Sequence, residues 1–208
     1  MSFTKNILAF ALCLVYSFSQ AQLVVKKLDR NSLPKSISYT GKLKNAVSWN
    51  DNTGTHYVVT SETGIVDSKE AGSDGRNAEL FACHYLGKDS LRLTWRVYDF
   101  IRDCPVDLTA SFVKNTFAVT DLDRNGQAEV WLMYRTVCHG DVSPSEMKII
   151  MYENGKKYAV RGTSRIKVSE KDYEGGAYNF DPAFKAAPDV FKRYAKALWQ
   201  KNIIDTGD

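Results

Sequence analysis

Residues 120–137 read "TDLDRNGQAEVWLMYRTV", and the two halves of this stretch ask for different backbones. From Asp121 to Gly126 short oxygen-bearing side chains alternate and end on glycine, the composition of a tight turn. From Glu129 onward, aliphatic, β-branched and aromatic residues run for the length of a strand without Gly or Pro. Residues 110–120, "ASFVKNTFAVT", precede the turn with a run of the same kind, so the whole reads as a hairpin. Outward from it lie "NAVSWND", "THYVVTSE", "AELFACHYL", "LRLTWRVYDF", "MKIIMYE" and "KYAVRG", closed by turn signals such as "DNTG", "GKDS" and "ENG". Turns this short join antiparallel neighbours, since parallel strands need crossovers of a dozen or more residues. The fold class is therefore mainly β, an antiparallel meander of hairpins. Asp51 with Gly54 and Asp123 with Gly126 repeat one spacing, as related propeller-blade hairpins would, though Asp and Gly are ordinary turn residues in any hairpin. Residues 64–77, "GIVDSKEAGSDGRN", read as one long exposed loop within the domain.

The two ends differ from the middle. Residues 1–21 combine Lys5, an apolar run from Ile7 to about Phe18 and the triplet Ser19, Gln20, Ala21. This is the pattern of a secretory signal peptide cleaved after Ala21, and the run is shorter than the roughly 20 apolar residues of a membrane span. Cys13 lies too deep in that run, after Leu12, to be a lipidation site. Residues 22–208 have the length of one domain. Near the C-terminal end, Phe191, Tyr194, Ala195, Leu198 and Asn202 recur at helical spacing, and Pro188 and Asp189 suit a helix start. An amphipathic helix over about 188–203 is expected to pack Phe191, Leu198 and Trp199 on the sheet. The net charge of +4 comes from interspersed charges, which is no electrostatic footprint for nucleic acid. The product is expected to be exported, periplasmic or extracellular, and not membrane-spanning.

Export bears on the cysteines. Cys83, Cys104 and Cys138 remain after cleavage, and in an oxidising compartment an odd count means one bridge and one spare thiol. If residues 111–120 pair with 129–138, Cys138 falls opposite roughly Phe112, at the hairpin end away from the acidic turn. Cys104, a short turn upstream, is then its partner, and Cys83 is a buried free thiol.

The turn itself has the oxygen-rich composition that a hard cation prefers. An EF-hand would need a bidentate glutamate at the twelfth loop position, where Leu132 stands. Glu129 occupies the ninth position and a strand follows, so the loop resembles the calcium loops that join strands in FG-GAP or VCBS-type repeats. That resemblance implies calcium held by Asp121, Asp123, Asn125 and Glu129 with the backbone carbonyl of Gln127. The plain alternative is a hairpin turn whose Asp and Asn bond their own backbone, but carboxylates that converge without a cation repel.

Elsewhere the signals are weaker. Cys138 and His139 are neighbours on a strand and face opposite ways, a poor arrangement for a nucleophile and its base. Ser143, Pro144 and Glu146 have the spacing of a capping box and predict one helical turn before "MKIIMYE". His139 and Asp141 remain candidate binding residues. His56, His84 and His139 have no metal-ligand spacing, and no phosphate loop or nucleophile elbow is present. No catalytic residue can be named.

"DFIRDCPVDLTASF", "TDLDRNGQAEVWLMYRTVCHGDVSPSEMKIIMYENGKKYAVRG" and "FKRYAKALW" together resemble a family of small secreted bacterial proteins named for surface polysaccharide (lipopolysaccharide) biosynthesis. The resemblance runs over most of the mature chain and implies an association with surface polysaccharide, without catalytic residues. The expected function is thus a non-enzymatic, calcium-stapled cell-envelope protein that assists surface polysaccharide production or presentation by binding a glycan or an envelope protein. Tyr134 and Tyr152 are candidate sugar-stacking residues, with core packing as the competing role. A secreted hydrolase acting on envelope glycans through dispersed Asp and Glu is one alternative, and an interaction module with no small ligand but calcium is another.

Overall fold

A computed structural model describes residues 23–70 and 72–205; the signal-peptide segment lies outside them. The first sheet is a meander of β1 (Lys26–Lys27), β2 (Lys42–Asp51), β3 (Gly54–Asp67), β4 (Arg76–Leu86) and β5 (Arg92–Cys104), each antiparallel to the next. The second comprises β6 (Leu108–Phe112), β7 (Ala118–Thr120), β8 (Glu129–Cys138), β9 (Glu146–Glu153) and β10 (Lys156–Thr163). A small ribbon of β11 (Arg165–Lys167) and β12 (Tyr173–Gly175) follows, then β13 (Tyr178–Phe180), which adds to β10. Helices α1 (Pro182–Lys185) and α2 (Asp189–Lys201) close the chain.

The sheets stack as a sandwich, and the helices add a third layer. Alternation along the strands of the first sheet turns Trp49, Val58, Leu80 and Val97 inward, against Leu132, Ile150 and Ala159 of the second. The opposite face of the second sheet carries Trp131, Met133, Ile149 and Val160, on which α1 and α2 lay Phe184, Phe191, Ala195 and Trp199. A sheet covered on both faces needs apolar side chains at successive positions, not at alternate ones. That is why "VWLMY" and "IIMY" are continuous apolar runs while β4 and β5 alternate. The antiparallel meander and the packed C-terminal helix stand as expected. Among the described residues no strand closes a barrel, and each of the large sheets is open.

Several local expectations are corrected. The polar stretch at 64–77 is strand at both ends: Gly64 to Asp67 extend β3, and Arg76 and Asn77 open β4. The run 110–120 is broken into β6 and β7, because Asn115 takes a positive φ of 59° and Thr116 turns its hydroxyl onto the Val113 carbonyl. Phe112 therefore pairs with Tyr134, and Leu108 is the residue opposite Cys138. No helical turn precedes β9. Ser145 is buried, its N–H donating to Ser164 Oγ (2.9 Å) and its hydroxyl to Asp205 Oδ2 (2.5 Å), and Glu146 already belongs to the strand.

The Cys104–Cys138 bridge is present. It joins the end of β5 in one sheet to the end of β8 in the other, so it clamps the two layers together instead of closing one hairpin. Cys83 is free but half-buried on the outer side of the first sheet, where residues 28–40 lie across it.

Candidate functional site

The acidic loop is built as β7, a turn and β8. Arg124 and Gly126 adopt positive φ of 59° and 80°, which folds the turn back on itself. This brings carboxylate oxygens of Asp121, Asp123 and Glu129 within 4.8 Å of one another. Glu129 is fully buried and accepts from the Leu122 N–H (3.0 Å) and the Thr120 hydroxyl (2.6 Å), which in turn accepts from Trp131 Nε1 (2.9 Å). Burial nevertheless raises the Glu129 pKa, against those bonds and with help from Asp123 and Glu153. Glu153 stands directly opposite Glu129 on β9, a like-charge register that costs stability.

Asp121 Oδ2 accepts from the Gly126 N–H (3.1 Å), whereas its Oδ1 is buried with no hydrogen-bond partner. An orphaned carboxylate oxygen beside two further carboxylates fits a hard cation with oxygen ligands. Asn125 is turned otherwise: its Oδ1 accepts from the Gln127 N–H (2.7 Å), and its Nδ2 donates to Asp123 Oδ2 (3.0 Å) and Glu153 Oε1 (2.7 Å). The echoing turn at Asp51 uses the same local chemistry, an Asp oxygen accepting the N–H two residues on, at Thr53 as at Asn125. Shared turn chemistry accounts for the repeat.

A second polar cluster lies between the sheets, at the end where the β2–β3 turn and the β9–β10 turn meet Gln127. Asp51 Oδ1 lies 2.9 Å from His56 Nε2, and His56 Nδ1 lies 2.9 Å from His84 Nε2. His84 Nδ1 meets the Thr94 hydroxyl, completing a chain Asp51–His56–His84–Thr94. Both imidazoles are buried and sit in an aromatic stack: Trp49 on His56 (4.8 Å), His84 on Trp95 (5.4 Å) and Trp95 on Tyr152 (4.3 Å). Burial and the neighbouring His56 push the His84 pKa down to about 3, so it is neutral at ordinary pH. Burial acts to raise Asp51, but the bonds from Thr53 and His56 outweigh it and hold the carboxyl below its usual range. The chain borders a cavity of about 370 Å³.

His139 and Asp141 lie in the turn after β8, at the end of that strand away from the acidic loop. His139 Nδ1 is 3.0 Å from the Asp141 carbonyl, and its Nε2 is buried without a partner. Tyr134 and Tyr152 are core residues, 3% and 8% exposed, because both point between the sheets. Lys148 lies over the Tyr134 ring, and the Tyr152 ring is stacked on Trp95.

The exposed rings lie on the outer face of the first sheet. Arg96, Tyr98, Phe100 and Arg102 alternate with the inward Trp95, Val97 and Ile101 along β5. Tyr98 stacks on Phe81 of β4 (5.0 Å) and contacts Phe100 (5.2 Å), while Arg96 lies over Phe81 and Tyr98 and Arg102 over Phe100. Tyr98 and Phe100 are 40% and 44% exposed, and the Tyr98 hydroxyl donates to Glu79 (2.9 Å). This ladder was legible as the alternation in "TWRVYDFIRD". The histidine chain was legible only through the β3–β4 register, since Val58 opposite His84 sets His56 diagonally beside it.

Among family models, curated proteins and solved structures, none matches this chain. Among the described residues no helix is long and apolar enough to cross a membrane.

Proposed function

We propose that this protein is an exported, non-enzymatic component of the cell envelope that binds glycan and serves surface polysaccharide production or presentation. The ladder of Phe81, Tyr98 and Phe100 carries this reading. Contiguous exposed apolar surface marks an interaction site, and stacked rings topped by the guanidinium groups of Arg96 and Arg102 offer the mixed apolar and hydrogen-bonding surface that suits a sugar ring. β5 is the last strand of its sheet, so a long chain can lie along it without meeting another strand. The disulfide supports export, since such bridges persist in oxidising compartments.

Calcium has a structural role in this reading. Asp121, Asp123 and Glu129 hold the ion at the head of β8, with the Gln127 carbonyl as a further ligand, and Asn125 joins them after releasing the Gln127 N–H. The ion offsets the repulsion among buried carboxylates and pins the turn.

The test is binding of the mature protein to an array of envelope-type oligosaccharides, with Tyr98→Ala and Phe100→Ala as variants. Both positions are solvent-facing, so the fold should tolerate them. Binding by the wild type that both variants lose supports the proposal; wild-type protein that captures no glycan overturns it.

A further inference from the structure

Beside the aromatic ladder, the edge of the sandwich opens into a cleft of about 560 Å³. Its walls carry Arg96, Tyr98 and Asp99 from β5, and Lys148, Lys157 and Arg161 from β9 and β10. The last three lie on the face that elsewhere builds the inter-sheet core. Lys148 shares its side of β9 with Ile150 and Tyr152, and Lys157 and Arg161 flank Ala159 on β10. Lys148 is half-buried on that side, whereas Lys157 and Arg161 are exposed, so it is the position of Lys148 that calls for a reason.

Internal pairing supplies only part of one. Lys148 Nζ is 2.7 Å from Asp99 Oδ2 and 3.6 Å from Glu146 Oε2, and lies over the Tyr134 ring. Arg161 stands directly opposite Lys148 in the β9–β10 register, an arrangement of like charges that destabilises a sheet. Among the described residues, neither Arg161 nor Lys157 has an ion-pair partner within 4.0 Å. Burial first, then the nearby Arg161, lower the Lys157 pKa, against Asp181 and Asp99, which raise it. Asp99 is thus the one carboxylate lining an open cleft with four cationic side chains, while Glu146 reaches Lys148 and Asp181 acts on Lys157 from outside the lining, and the exposed ring of Tyr98 forms the rim.

We infer that the cleft takes an acidic sugar unit of the glycan, its carboxylate or phosphate held by Arg161 and Lys157 while the chain continues over Tyr98 and Phe100. This rests on the glycan-binding reading and adds the charge of the ligand to it. A guanidinium can hold either oxyanion through two parallel bonds and a lysine adds a point charge. The anion would also relieve the Lys148–Arg161 opposition.

The experiment measures binding of an oligogalacturonate, a phosphorylated oligomannoside, an uncharged malto-oligosaccharide, inorganic phosphate and a single-stranded oligodeoxynucleotide to the full chain. The acidic sugars should bind about tenfold or more tightly than the uncharged one, and added salt should weaken them selectively. The two acidic arms tell carboxylate from phosphate recognition. Arg161→Gln and Lys157→Gln should bring the acidic sugars down to the uncharged level, and Lys156→Gln, on the opposite face of β10, should change nothing. Unaltered thermal midpoints would show that the variants remain folded. Equal binding of acidic and uncharged sugars overturns this inference and leaves glycan binding standing, whereas no binding of any sugar overturns both. Phosphate or the oligonucleotide binding as tightly as the acidic sugars would also overturn it, since the cleft would then read charge alone.

Discussion

His56 and His84, 28 residues apart in sequence, face each other across 2.9 Å between Nδ1 and Nε2. The contact has a consequence in acid. His84 titrates near 3 in the fold and near its ordinary 6.5 when unfolded. Between these values the unfolded chain binds more protons, so stability falls as pH falls, by up to about 1.4 kcal/mol per pH unit. Asp51, whose carboxyl is held below its usual 3.8, adds a further loss at the acid end with the same sign. Urea unfolding from pH 7 to pH 4 should show this slope, and His84→Gln should flatten it. An equally steep slope in the variant would place the titrating group elsewhere.

Calcium should raise the thermal midpoint by several degrees at saturating concentration, since binding to the folded state alone contributes RT ln(1 + [L]/Kd). Asp123→Ala should abolish the shift, and so should Asp121→Asn. The effect should also fade in acid. Glu129 has a raised folded pKa, so without an ion its ionisation costs stability as pH rises past its ordinary value. Calcium removes that cost at neutral pH and has little to offset once the carboxyls are protonated. Differential scanning calorimetry with and without calcium, at neutral and acid pH, measures both.

Reduction of Cys104–Cys138 should lower stability by about 3 to 4 kcal/mol, from the loop entropy of a 34-residue separation. Mass mapping without reductant should recover that pair and leave Cys83 open to alkylation. The reaction at Cys83 should be slow, because burial raises the thiol pKa and the thiolate is the reactive form.

Trp199 is fully buried between α2 and the second sheet, in contact with Tyr178 (5.0 Å). Trp199→Ala should cost about 3 to 5 kcal/mol, the range for removing a large core aromatic. Denaturant midpoints against wild type measure it.

Much of this architecture was legible in the residues, and the exceptions have physical causes. The hairpin pattern and the helix at Phe191, Ala195 and Trp199 follow from periods of two and 3.6, and these survive any arrangement of layers. The bridge was found from a register that was itself displaced, since the turn at Asn115 and Thr116 takes residues out of the ladder without a proline or glycine to mark it. The helical turn expected from Ser143, Pro144 and Glu146 does not form because Ser145 pairs with Ser164 and Asp205, which are distant in sequence. The acidic loop announced its three carboxylates, while the side-chain direction of Asn125 depends on Glu153 from the next hairpin. The basic cleft was invisible for the same kind of reason: Lys148, Lys157 and Arg161 look like solvated charges until strand alternation places them on the core side at an uncovered edge.

The position of the disulfide also decides how the molecule carries load. The bridge closes a loop from Cys104 to Cys138, and the acidic turn lies within it. Tension applied along the backbone from both sides of that loop passes from sulfur to sulfur and bypasses β6, β7 and most of β8. A pull applied across that loop would therefore load the first sheet and the strands after Cys138. The turn that gathers Asp121, Asp123 and Glu129 would keep its geometry while the rest of the molecule is under strain.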